Sequence, residues 1–109
     1  MSIFESVADT EAFDAAVGDG GMVIAKFQTK ACVICRRLEP GLTQMKDNQS
    51  EMLRIMDVDA EENVELAERY QIRSVPTLIL FKNGDEVSRC NGFQSTSMLR
   101  EWVSPHIRN

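Results

Sequence analysis

Two cysteines three residues apart are the residues of this chain best suited to covalent chemistry. They stand in the segment Cys32-Val33-Ile34-Cys35, after the apolar run at 22–27 and at the start of a stretch with helical spacing. Unpaired backbone N–H groups and the helix dipole favour a thiolate at a helix N-terminus. Cys35 would lie one turn deeper on the same side, close enough for a disulfide. The pair is therefore predicted to undergo reversible thiol–disulfide exchange.

A zinc site is an alternative use of these cysteines, and two inert thiols are another. Structural zinc takes four ligands, and only Cys90 and His106 remain to complete a set. Those two residues do not have the spacing of a ligand pair, so the sequence favours redox chemistry and predicts no metal. Cys90 falls in a predicted strand, where a packing role is expected.

Composition limits the class of protein. A length of 109 residues predicts a single domain over 1–109 with its own core. Three cysteines are too few for a disulfide scaffold. The N-terminal segment lacks the basic and apolar regions of a signal peptide, and no run reaches membrane-spanning length. We therefore expect a cytoplasmic protein that binds no membrane, and the net charge of −5 argues against nucleic-acid binding.

Alternating helical and strand patterns predict an α/β domain. Strands are predicted at about 22–28, 52–59, 76–81 and 86–91, and helices at about 9–17, 32–48, 63–70 and from 95 onward. Asp9 is the predicted cap of the first helix, and Asn83-Gly84 is the predicted hairpin turn between the last two strands. We expect a central mixed β-sheet flanked by helices on both faces. The expected core-facing residues include Ala12 and Phe13 in the first helix and Met98 and Leu99 in the last.

The sequence resembles the thioredoxin family. The resemblance rests on the Cys-x-x-Cys after a buried strand, Pro40 five residues past the second cysteine, the segment Val75-Pro76-Thr77, the turn at 81–84 and Gly92. It covers nearly the whole chain and implies the thioredoxin fold. It also implies a cis peptide bond at Val75-Pro76, facing the cysteines.

The resemblance further implies a protein disulfide oxidoreductase. Cys32 would attack disulfides in partner proteins, and Cys35 would release the reduced partner. The implied substrate surface consists of Ala31, Val33, Ile34, Val75, Pro76 and Gly92. No bound cofactor is implied, because the Cys32–Cys35 disulfide carries the electrons. A thioredoxin reductase fed by NADPH would recycle the oxidised form, and we expect a monomer.

Several residues near the site depart from the usual thioredoxin pattern. Thioredoxins typically have Trp before the first cysteine and Gly-Pro between the two, where this chain has Ala31 and Val33-Ile34. These changes keep a second function open, since a fold does not determine a function. The alternative is a thioredoxin-fold binding module that docks one partner with little turnover.

Lys26 stands where thioredoxins usually have a buried acid. It lies within an apolar strand pattern, where a lone ammonium is costly to bury. Asp57, on the next predicted strand, alternates with apolar residues and so shares their face. We hypothesise a site-tuning ion pair of Lys26 and Asp57 behind Cys35, in which Asp57 or a neutral Lys26 takes up a proton. The alternative is that Lys26 extends to water and Asp57 is solvated.

Overall fold

Five strands and four helices follow one another along the chain. The computed structural model describes residues 3–47 and 53–107. The elements are β1 (Phe4–Ser6), α1 (Thr10–Gly18), β2 (Met22–Gln28), α2 (Val33–Asp47), β3 (Leu53–Asp59), α3 (Val64–Arg69), β4 (Thr77–Lys82), β5 (Asp85–Asn91) and α4 (Thr96–Ile107). The predicted helix end at 48 and strand start at 52 lie outside the described residues.

The strands form one mixed sheet in the order β1-β3-β2-β4-β5. Strand β2 is central, parallel to β3 and antiparallel to β4, while β5 pairs antiparallel with β4 at one edge. The turn between β4 and β5 has positive φ at both Asn83 (52°) and Gly84 (91°), as a two-residue hairpin requires. The predicted hairpin is therefore confirmed.

Helices cover both faces of the sheet. Alternate side chains of β2 point to opposite faces. On one face, Val23, Ala25 and Phe27 pack with Phe13 and Val17 of α1 and Leu66 of α3. On the other face, Ile24 packs with Leu38, Leu42 and Met45 of α2 and with Leu99 and Val103 of α4. The predicted mixed sheet with helices on both faces is confirmed.

Details of two helices and one strand differ from the prediction. Ala12 is exposed, because the one-turn pair Phe13 and Val17 faces the core and turns Ala12 away. Met98 is 48% exposed for the same reason, since α4 buries Leu99 one residue further on. The sequence predicted no strand before α1, yet β1 pairs with β3; its three residues are too few to show an alternating pattern.

Sheet register brings three separate segments to one end of the sheet. Phe27, near the carboxyl end of β2, pairs with Thr77 at the start of β4, and Thr77 pairs with Asn91 at the end of β5. The loop that carries the cysteines, the Pro76 segment and Gly92 therefore emerge side by side. No helix in residues 3–47 and 53–107 has the length and apolar character needed to cross a bilayer.

Candidate active site

A disulfide joins Cys32 and Cys35 at the N-terminus of α2, with 5.2 Å between their Cα atoms. The backbone N–H of Cys32 donates to the carbonyl of Thr29 at 3.3 Å, and the N–H of Arg36 donates to the carbonyl of Cys32 at 3.4 Å. Cys32 thus directly precedes Val33, the first residue of the helix. The three-residue spacing brings both sulfurs to one side of this first turn, as the sequence predicted.

The two cysteines have different surroundings. Cys35 is 1% exposed, whereas Cys32 is only partly buried. The backbone N–H of Cys35 donates to the sulfur of Cys32 at 3.0 Å. This donor and the helix dipole both stabilise negative charge on the Cys32 sulfur. Cys32 is therefore the more accessible residue of the pair, and its surroundings favour a thiolate more than those of Cys35.

The segment before β4 forms a wall beside the cysteine loop. The Val75-Pro76 peptide bond is cis. The carbonyl of Pro76 accepts a hydrogen bond from the N–H of Gly92 at 2.9 Å, and the side chain of Asn91 donates to Thr77 Oγ1 at 2.9 Å. These contacts tie the segment to the end of β5. Gly92 has a φ of 76°, which favours glycine there.

Most side chains of the predicted substrate surface face solvent. Ala31, Val33 (56%) and Ile34 (48%) are exposed beside the disulfide, and Val75 is half-buried. The side chain of Pro76 is buried. Sequence reasoning missed Phe93, which is 53% exposed and lines a groove together with Ile34 and Arg37.

Lys26 is completely buried and lies between two carboxylates. Its Nζ donates to Glu39 Oε2 at 2.6 Å and lies 3.0 Å from Asp57 Oδ1. It also sits 4.7 Å from the ring centroid of Phe4. The parallel register of β2 and β3 places Lys26 directly beside Asp57. The structure thus contains the hypothesised ion pair, and the alternative of a solvated Lys26 is wrong.

Glu39 joins the cluster from α2 and was not predicted. It lies one turn after Cys35, so the charged cluster is on the side of the sheet that α2 covers. Asp57 Oδ1 touches Lys26 as an ion pair but has no hydrogen-bond donor in the described part of the chain. Burial raises the pKa of Asp57; the ammonium of Lys26 opposes this, and the charge of Glu39 adds to it.

The other candidate ligands do not gather around the disulfide. Within residues 3–47 and 53–107, no three His, Cys, Asp or Glu side chains are placed to hold a metal ion. Cys90 is half-buried on β5, and burial raises its pKa to about 11. Its thiol is therefore protonated at neutral pH, as expected for a packing residue.

The thioredoxin family model matches residues 5–105 of this chain. The chain belongs to the thioredoxin family. It is 32% identical over 100 residues to thioredoxin from Bacillus subtilis, covering 92% of this chain and 95% of that one. It is 31% identical over 85 residues to thioredoxin from Rickettsia bellii, covering 78% of this chain and 81% of that one.

Solved thioredoxin structures share the fold. A mutant thioredoxin from Halobacterium salinarum superposes with a TM-score of 0.87 at 28% identity, covering 96% of this chain and 91% of that chain. A thioredoxin from Plasmodium falciparum superposes with a TM-score of 0.84 at 25% identity, covering 94% of this chain and 98% of that chain. The predicted thioredoxin fold is confirmed. This thioredoxin-family chain is a thiol–disulfide oxidoreductase, and Cys32 and Cys35 form its redox disulfide.

Removing the buried cation of this thioredoxin-family protein should be strongly destabilising. Lys26→Met leaves Asp57 and Glu39 as neighbouring carboxylates without a counter-charge, and we expect the free energy of unfolding to fall by about 3–5 kcal/mol. Urea denaturation measures this value. Lys30→Met is the matched control: its ion pair with Glu62 is exposed, so we expect little change.

The double variant tests whether the contact itself causes the loss. Adding Asp57→Asn to Lys26→Met removes one stranded carboxylate and should restore part of the lost stability. Strictly additive costs would contradict an interaction between Lys26 and Asp57.

The raised pKa of Asp57 gives stability a definite pH dependence. A carboxyl whose folded pKa exceeds its unfolded value of about 3.9 takes up protons on folding. The stability that Asp57 gains from this proton uptake is fully present below the unfolded pKa and is lost as the pH rises through the folded pKa. Asp57→Asn has no carboxyl to titrate at this position. As the pH rises from about 4, the parent chain should therefore lose stability relative to the Asp57→Asn variant. Urea melts across that window measure the difference; the opposite slope would contradict a raised pKa.

Proposed function

We propose that this protein reduces disulfides in partner proteins, with Cys32 as the attacking thiol and Cys35 as the resolving thiol. The unequal exposure of the two sulfurs is the observation that carries the assignment. Cys32 is accessible at the start of α2 and accepts a backbone hydrogen bond, whereas Cys35 is 1% exposed. A partner disulfide can therefore approach Cys32, while Cys35 is protected until a bond has formed.

The reaction proceeds in two exchanges. The Cys32 thiolate attacks one sulfur of the partner disulfide; a bond forms between these two sulfurs, the partner S–S bond breaks, and its other sulfur leaves as a thiolate. Cys35, after losing its proton, attacks the Cys32 sulfur. This step forms the Cys32–Cys35 disulfide and releases the first partner sulfur. Two electrons have then passed from the cysteine pair to the partner.

The charged cluster behind α2 supplies a proton acceptor for the second exchange. Burial raises the pKa of Asp57, although the nearby Lys26 ammonium opposes this, so Asp57 binds a proton more readily than an exposed carboxylate does. Lys26 holds Asp57 in place, and Glu39 connects the cluster to the turn of α2 that follows Cys35. Lys26 and Asp57 thus tune the site.

The partner segment lies across the apolar residues that surround Cys32. Ala31, Val33 and Ile34 offer exposed apolar surface, and the backbone of Val75 pairs with an extended segment. The hydrogen bond from the N–H of Gly92 to the carbonyl of Pro76 fixes the position of the Val75-Pro76 segment against which the partner segment would pack.

Each cycle leaves the protein oxidised, so it needs an external reductant. Membership of the thioredoxin family supports recycling by a thioredoxin reductase. We further propose that this reductase draws on NADPH and that the protein acts as a monomer in the reducing cytoplasm. The two sulfurs carry both electrons, and the exchange itself needs no bound cofactor.

The two thiols should differ in reactivity. In the reduced protein, Cys32 should be alkylated first near neutral pH, because it is accessible and its thiolate is stabilised. Cys32→Ser should abolish exchange, while Cys35→Ser should accumulate mixed disulfides that nothing resolves. Mass spectrometry of quenched samples reads both results. Faster labelling of Cys35 would reverse the roles.

A turnover assay tests the function as a whole. With NADPH and a thioredoxin reductase, the protein should reduce insulin disulfides, and Cys90→Ser should retain this activity as the matched control. Asp57→Asn should slow turnover without changing the alkylation of Cys32. A folded protein that binds insulin but shows no turnover, even with dithiothreitol, would support the binding-module alternative.

A further inference from the structure

An open groove of about 360 Å³ lies beside the disulfide and is lined by Ile34, Arg37 and Phe93. Ile34 and Arg37 are three residues apart on α2, so they share one face of its first turns. Phe93 comes from the segment between β5 and α4. The groove therefore connects the helix that carries Cys35 with the wall formed by Pro76 and Gly92.

Phe93 is held in an exposed position by its neighbours. The N–H of Gly92 donates to the carbonyl of Pro76 at 2.9 Å, and the side chain of Gln94 donates to the carbonyl of Asn91 at 3.0 Å. These bonds fix the chain on both sides of a ring that is 53% exposed. Ile34 adds a second exposed apolar side chain in the same groove. Covering both side chains with an apolar partner group is favourable in proportion to the area removed from water.

Arg37 gives the groove a charge preference. Of the basic residues near the cysteines, Lys30 pairs with Glu62 at 2.6 Å and Arg36 donates to the carbonyl of Lys30 at 2.7 Å. The guanidinium of Arg37, in contrast, has no hydrogen-bond or ion-pair partner within residues 3–47 and 53–107. A guanidinium binds a carboxylate through two parallel N–H donors. In a chain with a net charge of −5, this cation marks where an acidic group can approach.

We propose that the groove of Ile34, Arg37 and Phe93 selects partner segments that carry an apolar side chain and a carboxylate close to the reacting cysteine. The proposal rests on the proposed attack by Cys32. Ile34 stands two residues after Cys32 and directly before Cys35. Side chains of an extended segment point to the same side every second residue, about 6–7 Å apart. The selected groups therefore lie within about three residues of the partner cysteine.

Peptide mixed disulfides test the selection directly. Each peptide carries one cysteine linked to thionitrobenzoate, flanked by Leu and Glu, by Ala and Glu, or by Leu and Gln. Attack by Cys32 joins its sulfur to the peptide cysteine and expels the coloured thionitrobenzoate, so absorbance gives the second-order rate constant. We expect Glu over Gln to raise the rate about three- to fivefold, as for an exposed ion pair. Leu over Ala should raise it about fivefold.

Ratios between peptides separate recognition from thiol reactivity, because any change in the Cys32 thiolate affects all peptides equally. Arg37→Gln should bring the Glu-to-Gln rate ratio to about one and preserve the Leu-to-Ala rate ratio. Phe93→Ala should bring the Leu-to-Ala rate ratio to about one and preserve the Glu-to-Gln rate ratio. Arg36→Gln removes the same charge from the neighbouring residue and is the matched control; it should leave both ratios unchanged. Urea melts confirm that each variant is folded.

Four outcomes would overturn the proposal. Equal rates for all peptides would remove the groove's selectivity and leave the proposed function intact. Equal losses in Arg36→Gln and Arg37→Gln would show a general charge effect. A dimer that Phe93→Ala dissociates would show that a second copy fills the groove. No thionitrobenzoate release from any peptide would refute the proposed function, and this proposal with it.

Discussion

The central strand β2 is hydrogen-bonded along both edges and covered on both faces, so every side chain in its middle must find its partner inside the protein. Apolar side chains meet this demand by packing. Lys26 meets it only with counter-charges, which come from Asp57 on β3 and Glu39 on α2. Because the same strand leads directly into the loop of Cys32, the packing that fixes this cluster also fixes the position of the disulfide.

The features that the sequence predicted well are those with local causes. A two-residue Asn83-Gly84 turn needs positive φ at both positions, and these residues tolerate it. Asp9 caps α1 through a bond from the N–H of Ala12 at 2.8 Å, as expected for its type and place. The disulfide likewise follows from two cysteines three residues apart at the start of a helix.

The features that could not be predicted from the sequence depend on contacts between distant segments. Helical spacing places Glu39 on the same side of α2 as Cys35, but it cannot say which strand residue lies beneath. The Lys26–Asp57 pair was predictable because both strand patterns share one face; its third member required the packing of α2 on β2. Phe93 lies between β5 and α4, outside any helix or strand pattern, and its exposed position beside Ile34 and Arg37 depends on how these separate segments meet.

The unusual residues of this chain lie on two sides of Cys35, and the proposed mechanism assigns them to different parts of the reaction. On the outer side, Ile34 lines a groove that a partner segment can enter. On the inner side, the fold requires that buried charges be balanced, whichever strand carries the cation. Lys26 with two carboxylates leaves the fully ionised cluster at a net charge of −1, and binding one proton would neutralise it. Asp57, which is the more buried of the two carboxylates and has a raised pKa, is the group best suited to take that proton. Under the proposed mechanism the acid–base group of this cluster is Asp57 on β3, whereas thioredoxins usually carry the buried acid at the position of Lys26 on β2.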